Sequence, residues 1–490
     1  MKLSLTTLPG LPAAVAAPRY ARADLRPGIV HIGCGNFHRA HMAVYLDDLF
    51  NLGRGHDWAI IGAGVRPEDS AMRDRLAAQD WLTTVIELGQ PELNQGPRVT
   101  GAMVDFLPVT PGHAALIERM SQPDIRIVSL TVTEGGYFTD PRTGTFSPDH
   151  PDIRADAAQP GSPRTVFGAI LAALRNRRAA GLAPFTVMSC DNLPHNGHVT
   201  RDAVAGLAAL IEPTLAEWVR EAVAFPNSMV DRITPATGPA EIAMAAALGI
   251  DDAAPVTCEP FRQWVVEDDF PQGRPALEEV GVTFTPDVAL FEAMKIRMLN
   301  GGHAIIAYPA GLRGIEFAHE AMADPQIAAF LQAVEQREIM PTLPAIPGQP
   351  PQDYLRLLSA RFANAQVRDT IRRLCLDGSN RQPKFIVPTL RDRLAAGQPA
   401  DGLILLSALW CRYCHGQAED GTEIAPNDPN WPALTARAHE ARERPEAWLE
   451  MADVYGGLGQ DPTLRAAFAT ALRKIWDQGS QAAIAGYLAG

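Results

Sequence analysis

The fold of the first half of the chain is decided by the stretch Gly28-Ile29-Val30-His31-Ile32-Gly33-Cys34-Gly35-Asn36-Phe37-His38-Arg39. Its apolar run predicts a strand, and the glycines at 33 and 35 predict a sharp turn into a helix. Glycines at this spacing let the backbone approach a pyrophosphate, which free N–H groups at the start of a helix can bind. Because His38 occupies the place of the usual third glycine, a tight turn without a ligand remains an alternative.

The glycine stretch and the next predicted strand together give a set of candidate dinucleotide contacts. After the predicted strand at 58–61, an acidic side chain can accept hydrogen bonds from a ribose 2′-OH and repel a 2′-phosphate, which favours NAD over NADP. Glu68 follows Gly35 by 33 positions, more than the usual ~20, so an ordinary solvated acidic pair also stays open. The candidates are Ile32, Gly33, Gly35, Asn36, Phe37, His38, Arg39, Glu68 and Asp69.

Short apolar runs alternate with helical patterns through the first half of the chain, and this order predicts a mostly parallel sheet. Turn residues follow the strands, at the edge where open α/β sheets bind ligands. Beyond residue 287 only helical patterns remain. We therefore predict an α/β domain at 1–285 and an all-α domain at 286–490 that share a cleft. Strands are predicted at 29–32, 58–61, 125–132 and 185–189; helices are predicted at 40–51, 166–179, 289–299, 327–338, 354–363, 369–376, 403–414, 431–442 and 464–476.

Composition narrows the class of protein. With 47% hydrophobic and 20% charged residues, the 490-residue chain is typical of soluble globular proteins and not of disordered ones. A net charge of −13 without a long basic run argues against binding to nucleic acid or to an anionic membrane. Polar residues and prolines interrupt the apolar N-terminal segment, which favours a folded arm over a signal peptide. Six scattered cysteines fit a reducing compartment, so we expect a cytoplasmic protein.

One cysteine motif invites a different interpretation. The stretch Cys411-Arg412-Tyr413-Cys414-His415 matches the spacing of a haem attachment site. It follows the apolar run at 403–410, which predicts a buried helix and makes the spacing coincidental. As half of a zinc site the pair lacks a second half, so we predict no metal.

A second polar cluster lies in Lys295-Ile296-Arg297-Met298-Leu299-Asn300-Gly301-Gly302-His303. At the α-helical rotation of about 100° per residue, Lys295, Asn300 and His303 fit one broad face, provided that the glycine pair does not break the helix. Buried lysine, asparagine and histidine need partners. An amphipathic helix with three solvated polar residues is the alternative.

Two further polar pairs are candidates for the same site. Asp191 and Asn192 close a predicted strand at the expected ligand edge, and Asp231 and Arg232 lie between apolar flanks. The second pair is equally well explained as a structural ion pair.

Five motifs occur in one order along the chain, and together they resemble the polyol-specific long-chain dehydrogenase/reductase family over essentially its whole length. The resemblance implies a Rossmann-type N-terminal domain, a mostly α-helical C-terminal domain and an active site in the cleft between them. It also implies NAD-dependent, zinc-independent oxidation of a polyol to a ketose, with D-mannitol to D-fructose favoured. The motifs are the glycine stretch, Thr131-Val132-Thr133-Glu134-Gly135-Gly136-Tyr137, Ser189-Cys190-Asp191-Asn192-Leu193-Pro194, Val230-Asp231-Arg232-Ile233-Thr234-Pro235 and Lys295-x4-Asn300-x2-His303.

The resemblance further implies roles for individual residues. Lys295 would be the general base, Asn192 and Asn300 would stabilise the alkoxide, and His303 would orient the substrate. The polyol site would be lined by Asp231, Arg373 and Arg381, the last standing where mannitol-specific members carry lysine.

Spacing alone adds Glu292, one helical turn before Lys295, as a candidate to pass the proton to solvent. An ordinary surface carboxylate is the alternative for this residue.

Other functions stay open on the sequence. D-arabinitol 4-dehydrogenase and fructuronate reductase are competitors, since an arginine at 381 can pair with a uronate carboxylate. A catalytically inactive NAD-binding sensor is disfavoured by the intact Lys295, Asn300 and His303. We expect the binding partner to be a small-molecule polyol or ketose, and neither nucleic acid nor a membrane. A monomer is one possible oligomeric state.

Overall fold

The chain divides into two units, Met1–Ala289 and Leu290–Gly490, in a computed structural model that describes residues 1–89, 95–140 and 144–490. The strands found among these residues all belong to the first unit. They are β1 (Pro27–Ile32), β2 (Ala59–Ala63), β3 (Thr83–Glu87), β4 (Arg98–Thr100), β5 (Met103–Phe106), β6 (Ile127–Leu130), β7 (Thr186–Ser189), β8 (Ser228–Asp231), β9 (Val256–Cys258), β10 (Gln263–Glu267) and β11 (Thr283–Thr285).

The main sheet has the order β5-β2-β1-β6-β7, and every neighbouring pair in it is parallel. The chain runs outward from β1 through β2 to β5 and then returns to β6 on the other side of β1. Ligands of open α/β sheets bind at such a reversal of strand order. The predicted parallel sheet is therefore confirmed, whereas the two mixed three-stranded sheets, β11-β10-β8 and β4-β3-β9, were not predicted.

Side chains of the main sheet alternate between two apolar cores. Val30 and Ile32 of β1 belong to one core, and Ile29 belongs to the other. This alternation is the period of two that an extended chain imposes, and it places apolar side chains on both faces of a sheet covered by helices.

Helices of the first unit begin directly after the glycine turn. The helix predicted at 40–51 is observed at Met42–Asn51. A separate short helix, Asn36–Ala40, precedes it, because the chain breaks at His41, where φ is −120° and ψ is −89°. The helix predicted at 166–179 has the predicted bounds, and the Thr165 side chain accepts a hydrogen bond from the Gly168 N–H at its start. These helices are α1 (Asn36–Ala40), α2 (Met42–Asn51), α3 (Asp69–Ala77), α4 (Ala114–Met120), α5 (Pro151–Ala158), α6 (Val166–Ala179), α7 (Asn196–Ile211), α8 (Pro213–Ala222) and α9 (Pro239–Ala247).

The second unit is helical wherever regular structure is described, which confirms the predicted helical C-terminal domain. Two segments, Lys295–Asn300 and Glu335–Ile339, are π-helical rather than α-helical. The α-helices are α10 (Ala289–Met294), α11 (Gly301–Leu312), α12 (Ala318–Ala323), α13 (Pro325–Val334), α14 (Pro351–Phe362), α15 (Ile371–Leu374), α16 (Gly378–Phe385), α17 (Val387–Ala395), α18 (Asp401–Cys414), α19 (Trp431–Glu443), α20 (Glu446–Leu449), α21 (Ala452–Tyr455) and α22 (Pro462–Ala489).

Helix α18 is the centre of the second unit. Its residues from Gly402 to Cys414 are all buried, and it packs against α11 and α22. Burial raises the pKa of the Cys411 and Cys414 thiols well above the usual value, so neither is prepared to act as a thiolate. The predicted buried helix is confirmed. Within the described part of the chain, no helix is long and apolar enough to cross a membrane.

A buried carboxyl group sits between helices of this unit. Glu335 has no exposed surface, and neither of its carboxyl oxygens has a hydrogen-bond partner among the described protein groups. Helix α11 passes close by, since a Cβ on Gly302 would lie 3.2 Å from Glu335 Oε1. Burial raises the pKa of Glu335 well above its usual value. The folded chain therefore keeps a proton that the unfolded chain releases, and the contribution of Glu335 to stability falls as the pH rises above 4.5.

We expect Glu335→Gln to raise the free energy of unfolding at pH 8 and to have a smaller effect at pH 5, because the amide carries no proton to lose. Urea unfolding at both pH values measures this. Glu338→Gln is the matched control, since Glu338 accepts hydrogen bonds from the N–H groups of Gly402 and Leu403 at 2.7 and 2.9 Å. It should lose about 1–3 kcal/mol. A loss of stability in Glu335→Gln that does not depend on pH would contradict the prediction.

Candidate functional site

The glycine turn lies where the strand order reverses. Gly33, directly after β1, has a φ of +103°, and a Cβ there would lie 2.0 Å from the carbonyl oxygen of Thr131 at the end of β6. Only glycine fits this position. Gly35 has an ordinary φ of −70°, and no described heavy atom lies within 4 Å of the place its Cβ would take. The turn therefore packs against the end of β6 at Gly33, whereas no described protein atom fills the space beside Gly35.

Polar side chains of the same motif bind the protein itself. Asn36 Nδ2 donates to the Pro235 carbonyl and to Thr237 Oγ1, both at 2.9 Å. The Arg39 guanidinium donates to Asn36 Oδ1 at 2.8 Å and to the Ala254 carbonyl, and it is fully enclosed. These bonds fasten the short helix α1 to later segments of the same unit.

Aromatic side chains of the motif stack on other rings of the protein: His38 is buried, and Phe37 is partly buried. The His38 ring stacks on His31 with centroids 3.5 Å apart, and Phe37 stacks on His41. Burial lowers the pKa of His31 to about 3, so this imidazole is neutral at physiological pH. Contacts of Phe37, His38 and Arg39 with a cofactor stay a prediction; for His38 and Arg39, such contacts would have to use backbone atoms.

The two acidic residues that follow β2, Glu68 and Asp69, have different surroundings. Asp69 begins α3, and its Oδ2 accepts hydrogen bonds from the N–H groups of Val65 and Arg66 at 2.9 and 3.0 Å. Glu68 precedes it at the exposed start of the helix. The carboxylate of Asp69 thus holds the loop in shape, while that of Glu68 faces solvent.

Polar residues at the ends of β7 and β8 are joined by one buried amide. The Nδ2 of Asn196 donates to the carbonyls of Asp191 and Ser228 at 3.0 and 2.8 Å, and its Oδ1 accepts from the Ser228 N–H. Asn192 follows Asp191 and is exposed, and Asp231 ends β8 with 6% exposure. The structure thus holds the strand ends that carry Asn192 and Asp231 in a fixed relation.

Arg232 has a structural role next to Asp231. Its fully buried guanidinium pairs with Glu87 Oε1 at 2.7 Å and donates to the carbonyls of Glu259 and Ala40. A buried ion pair with its remaining donors satisfied is costly to break, because removal of one partner leaves a buried charge. Arg232 therefore forms a structural ion pair with Glu87.

The lysine of the second unit lies where the helix changes type. Lys295 opens the π-helical segment Lys295–Asn300 and is only 7% exposed. In a π-helix hydrogen bonds connect residues five apart, and such segments occur frequently at functional sites. The assumed rotation of 100° is therefore wrong here, and the π geometry brings Lys295 and Asn300, which are five apart, closer to one face than an α-helix would.

The structure decides two open points about the neighbours of Lys295. Glu292 is 7% exposed, so the alternative of a surface carboxylate is wrong. Gly301 and Gly302 do not break the helix but begin α11, so the condition set for a shared face is met. A Cβ on Gly302 would lie 3.2 Å from Phe362 Cε2, so this glycine serves close helix packing. The His303 ring lies against the same Phe362, with centroids 4.4 Å apart.

The two arginines of the predicted polyol site are neighbours. Arg381 Nη1 donates to the backbone carbonyls of Arg373 and Leu374, both at 3.3 Å. The exposed Arg373 side chain pairs with Asp369 through both carboxylate oxygens. Both charges therefore lie on the same part of the second unit.

Metal-binding side chains are not clustered in the part of the chain that the structure describes: no group of three or more His, Cys, Asp or Glu residues there could hold an ion. All six cysteines are free and buried.

The fold and these residues define a class of protein, a Rossmann-type α/β unit followed by a helical unit with a buried lysine. The mannitol dehydrogenase Rossmann domain family matches residues 27–279, and the mannitol dehydrogenase C-terminal domain family matches residues 287–476. The chain belongs to the mannitol dehydrogenase family. This confirms the resemblance to polyol-specific long-chain dehydrogenases.

Individual relatives match over almost the whole length. Mannitol 2-dehydrogenase from Cereibacter sphaeroides is 64% identical over 476 residues, which cover 97% of this chain and 99% of the relative. The structure of Pseudomonas fluorescens mannitol 2-dehydrogenase in ternary complex with NAD and D-mannitol is 44% identical, with a TM-score of 0.86 and full coverage of both chains. A D-sorbitol dehydrogenase in substrate-free form is 36% identical, with a TM-score of 0.91 over 99% of this chain and 100% of that one.

The two glycines of the turn give a matched pair of variants. We expect Gly33→Ala to lose at least about 2 kcal/mol of stability, because it combines a positive φ with a collision against Thr131. Gly35→Ala should cost about 1 kcal/mol or less, as its Cβ meets open space. Urea unfolding followed by circular dichroism measures both. Equal losses of stability in the two variants would contradict the prediction that only position 33 has no room for a side chain.

Proposed function

We propose that this chain oxidises D-mannitol to D-fructose with NAD as hydride acceptor. The observation that carries the proposal is the 64% identity, over 97% of the chain, to a mannitol 2-dehydrogenase. The 44% identity to an enzyme whose structure contains NAD and D-mannitol supports the same cofactor and substrate.

The first unit fits a dinucleotide. Its glycine turn follows the first strand of a parallel sheet at the point where the strand order reverses, and Gly35 leaves open the space beside the backbone. When bound, the nicotinamide supplies the hydride acceptor. The N–H groups of Gly33 and Gly35 already donate to the carbonyls of Ala63 and Gly33, so the pyrophosphate would be held by the backbone N–H groups at the start of α1. The Glu68 carboxylate would accept a hydrogen bond from the adenosine ribose.

The transferred proton and the developing negative charge are assigned to a small set of polar side chains. Lys295, which is only 7% exposed, accepts the hydroxyl proton as the general base. Asn192 and Asn300 donate amide hydrogen bonds to the alkoxide oxygen, each worth roughly 3 kcal/mol. His303, whose ring rests on Phe362, orients the reacting hydroxyl. Glu292, buried three residues before Lys295, passes the proton onward.

Selection of the polyol rests on Asp231, Arg373 and Arg381. Such groups reject a substrate that lacks the matching hydroxyl, because the polar partner is then left unpaired. D-arabinitol is the expected secondary substrate. The planar fork of Arg381 also suits a carboxylate, which keeps fructuronate as the second candidate substrate.

We further propose that the enzyme is cytoplasmic and acts as a monomer on free small molecules. The six free cysteines suit a reducing compartment. Size-exclusion chromatography with light scattering measures the oligomeric state.

A substrate panel tests the proposed function. Catalytic efficiencies are compared for oxidation of D-mannitol, D-arabinitol and D-sorbitol and for reduction of fructose and fructuronate, before and after dialysis against a strong chelator. We expect mannitol and fructose to be preferred and the activity to survive dialysis. If fructuronate exceeds fructose by about tenfold and Arg381→Lys reverses that order, the uronate function replaces the proposed one. Activity lost on dialysis and restored by zinc would contradict the lysine mechanism.

Removal of the base gives a second prediction. We expect Lys295→Ala to lower kcat at least about 100-fold, the range of general-base catalysis, and to leave the affinity for NADH nearly unchanged. Steady-state rates and a fluorescence titration with NADH measure the two effects. Lys474→Ala, on α22, is the control and should keep wild-type rates. Turnover retained in Lys295→Ala would contradict the assignment of the base.

Cofactor preference gives a third prediction. Glu68 repels a 2′-phosphate, so wild type should prefer NAD, and Glu68→Lys should narrow the ratio of kcat/KM for NAD over NADP by about tenfold. Glu68→Gln, which removes the charge without reversing it, should narrow the ratio less. A wild-type enzyme that uses both cofactors equally would show that Glu68 does not meet the ribose.

A further inference from the structure

Asp191, the residue before Asn192, binds a segment on the neighbouring strand. Its Oδ1 accepts from the Thr133 N–H at 2.9 Å, and its Oδ2 accepts from the Val132 N–H at 2.9 Å and from the Tyr137 hydroxyl at 2.6 Å. Asp191 itself is 9% exposed. One carboxylate at the end of β7 thus holds the chain that leaves β6.

The segment held in this way touches the glycine turn. Thr131 Oγ1 donates to the Gly33 carbonyl at 2.5 Å, and the Thr131 carbonyl occupies the space that a side chain on Gly33 would need. Two residues later, Thr133 has a φ of +72°, a conformation that costs a non-glycine residue about 1–3 kcal/mol. Its N–H is one of the two that Asp191 binds, so the carboxylate helps to maintain the strained backbone.

The backbone of Asp191 is fixed as firmly as its side chain. Its N–H donates to Ser189 Oγ at 3.2 Å, and its carbonyl accepts from Asn196 Nδ2 at 3.0 Å. Ser189 Oγ lies 2.6 Å from the Tyr137 hydroxyl, which closes the network. The peptide that carries Asn192 is therefore anchored to β8 through Asn196 and to the segment after β6 through the carboxylate.

We propose that Asp191 is a positioning residue that sets the place of the Asn192 amide relative to the glycine turn. The inference rests on the proposed function, in which Asn192 stabilises the alkoxide. The three donors converging on Asp191 require an acceptor at both oxygens, which a carboxylate supplies. An amide has a single acceptor oxygen and would turn its own NH₂ group towards one of the donors, so Asp191→Asn keeps the shape and removes the function.

A double-mutant cycle of Asp191→Asn with Asn192→Ala tests this, using the polyol that wild type oxidises fastest. We expect Asp191→Asn to lower kcat about tenfold or more and to change KM for the polyol less than about threefold, since an alkoxide donor acts in the transition state. In the Asn192→Ala background the same change should cost less than about threefold, because the amide to be positioned is gone. Thermal unfolding of all four proteins is recorded alongside.

The double-mutant cycle distinguishes failure of the positioning role of Asp191 from failure of the proposed role of Asn192. Equal losses from Asp191→Asn in both backgrounds, or a lowered Tm with unchanged kcat, would overturn the positioning role alone. Wild-type turnover in Asn192→Ala would overturn the proposed role of Asn192, and the inference with it. If Asp191→Asn does not fold, Tyr137→Phe takes its place, because it removes one of the three donors. It should lower kcat about threefold, and only when Asn192 is present; an equal loss without Asn192 would overturn the inference.

Discussion

The contact between Gly33 and the carbonyl oxygen of Thr131 is the constraint on which the first unit depends. Strands β1 and β6 pair in parallel as far as Ile32 and Leu130, and the chain leaving each strand must then pass the other. They pass at a distance that leaves no room for a Cβ at Gly33. This close passage brings the turn that would bind the dinucleotide against the segment that Asp191 holds. Gly33 therefore fixes the glycine turn against the segment that follows β6, at one edge of the sheet.

The second unit depends on a different constraint, the change of helical type after Met294. An α-helix places residues five apart well away from each other around its axis, whereas i→i+5 hydrogen bonding aligns them. The segment Lys295–Asn300 begins with the lysine and ends with the asparagine, so its length matches the spacing of the two polar groups. A π-helix is rarely stable in itself. Here Lys295, Met298 and Leu299 are buried, and the helix continues without interruption into α11.

Sequence reasoning found elements whose signal is local and missed those that depend on distant partners. The strand at Pro27–Ile32 and the helix at Val166–Ala179 could be predicted because the pattern of apolar residues, and the residues that begin or end the element, lie within or next to the segment. The three-residue strands β4, β9 and β11 carry no period long enough to detect, and only their partners make them strands. The break at His41 is similar, because its ring is held by the Gln263 carbonyl, which lies far along the chain.

The candidate site shows the same division at the level of single side chains. Composition and spacing identify polar residues at a sheet edge, but they do not tell which atom of the protein will satisfy them. Asn36, Arg39 and Asp69 were all nominated as ligand contacts, and the structure gives each of them protein partners. Glu68 stays exposed beside Asp69. Since a buried polar group must find a partner somewhere, the groups that the protein itself satisfies shape the site, and those left at the open edge are the ones available to a ligand. A motif therefore predicts which segments meet at the sheet edge more reliably than it predicts which atoms of the protein its side chains will bind.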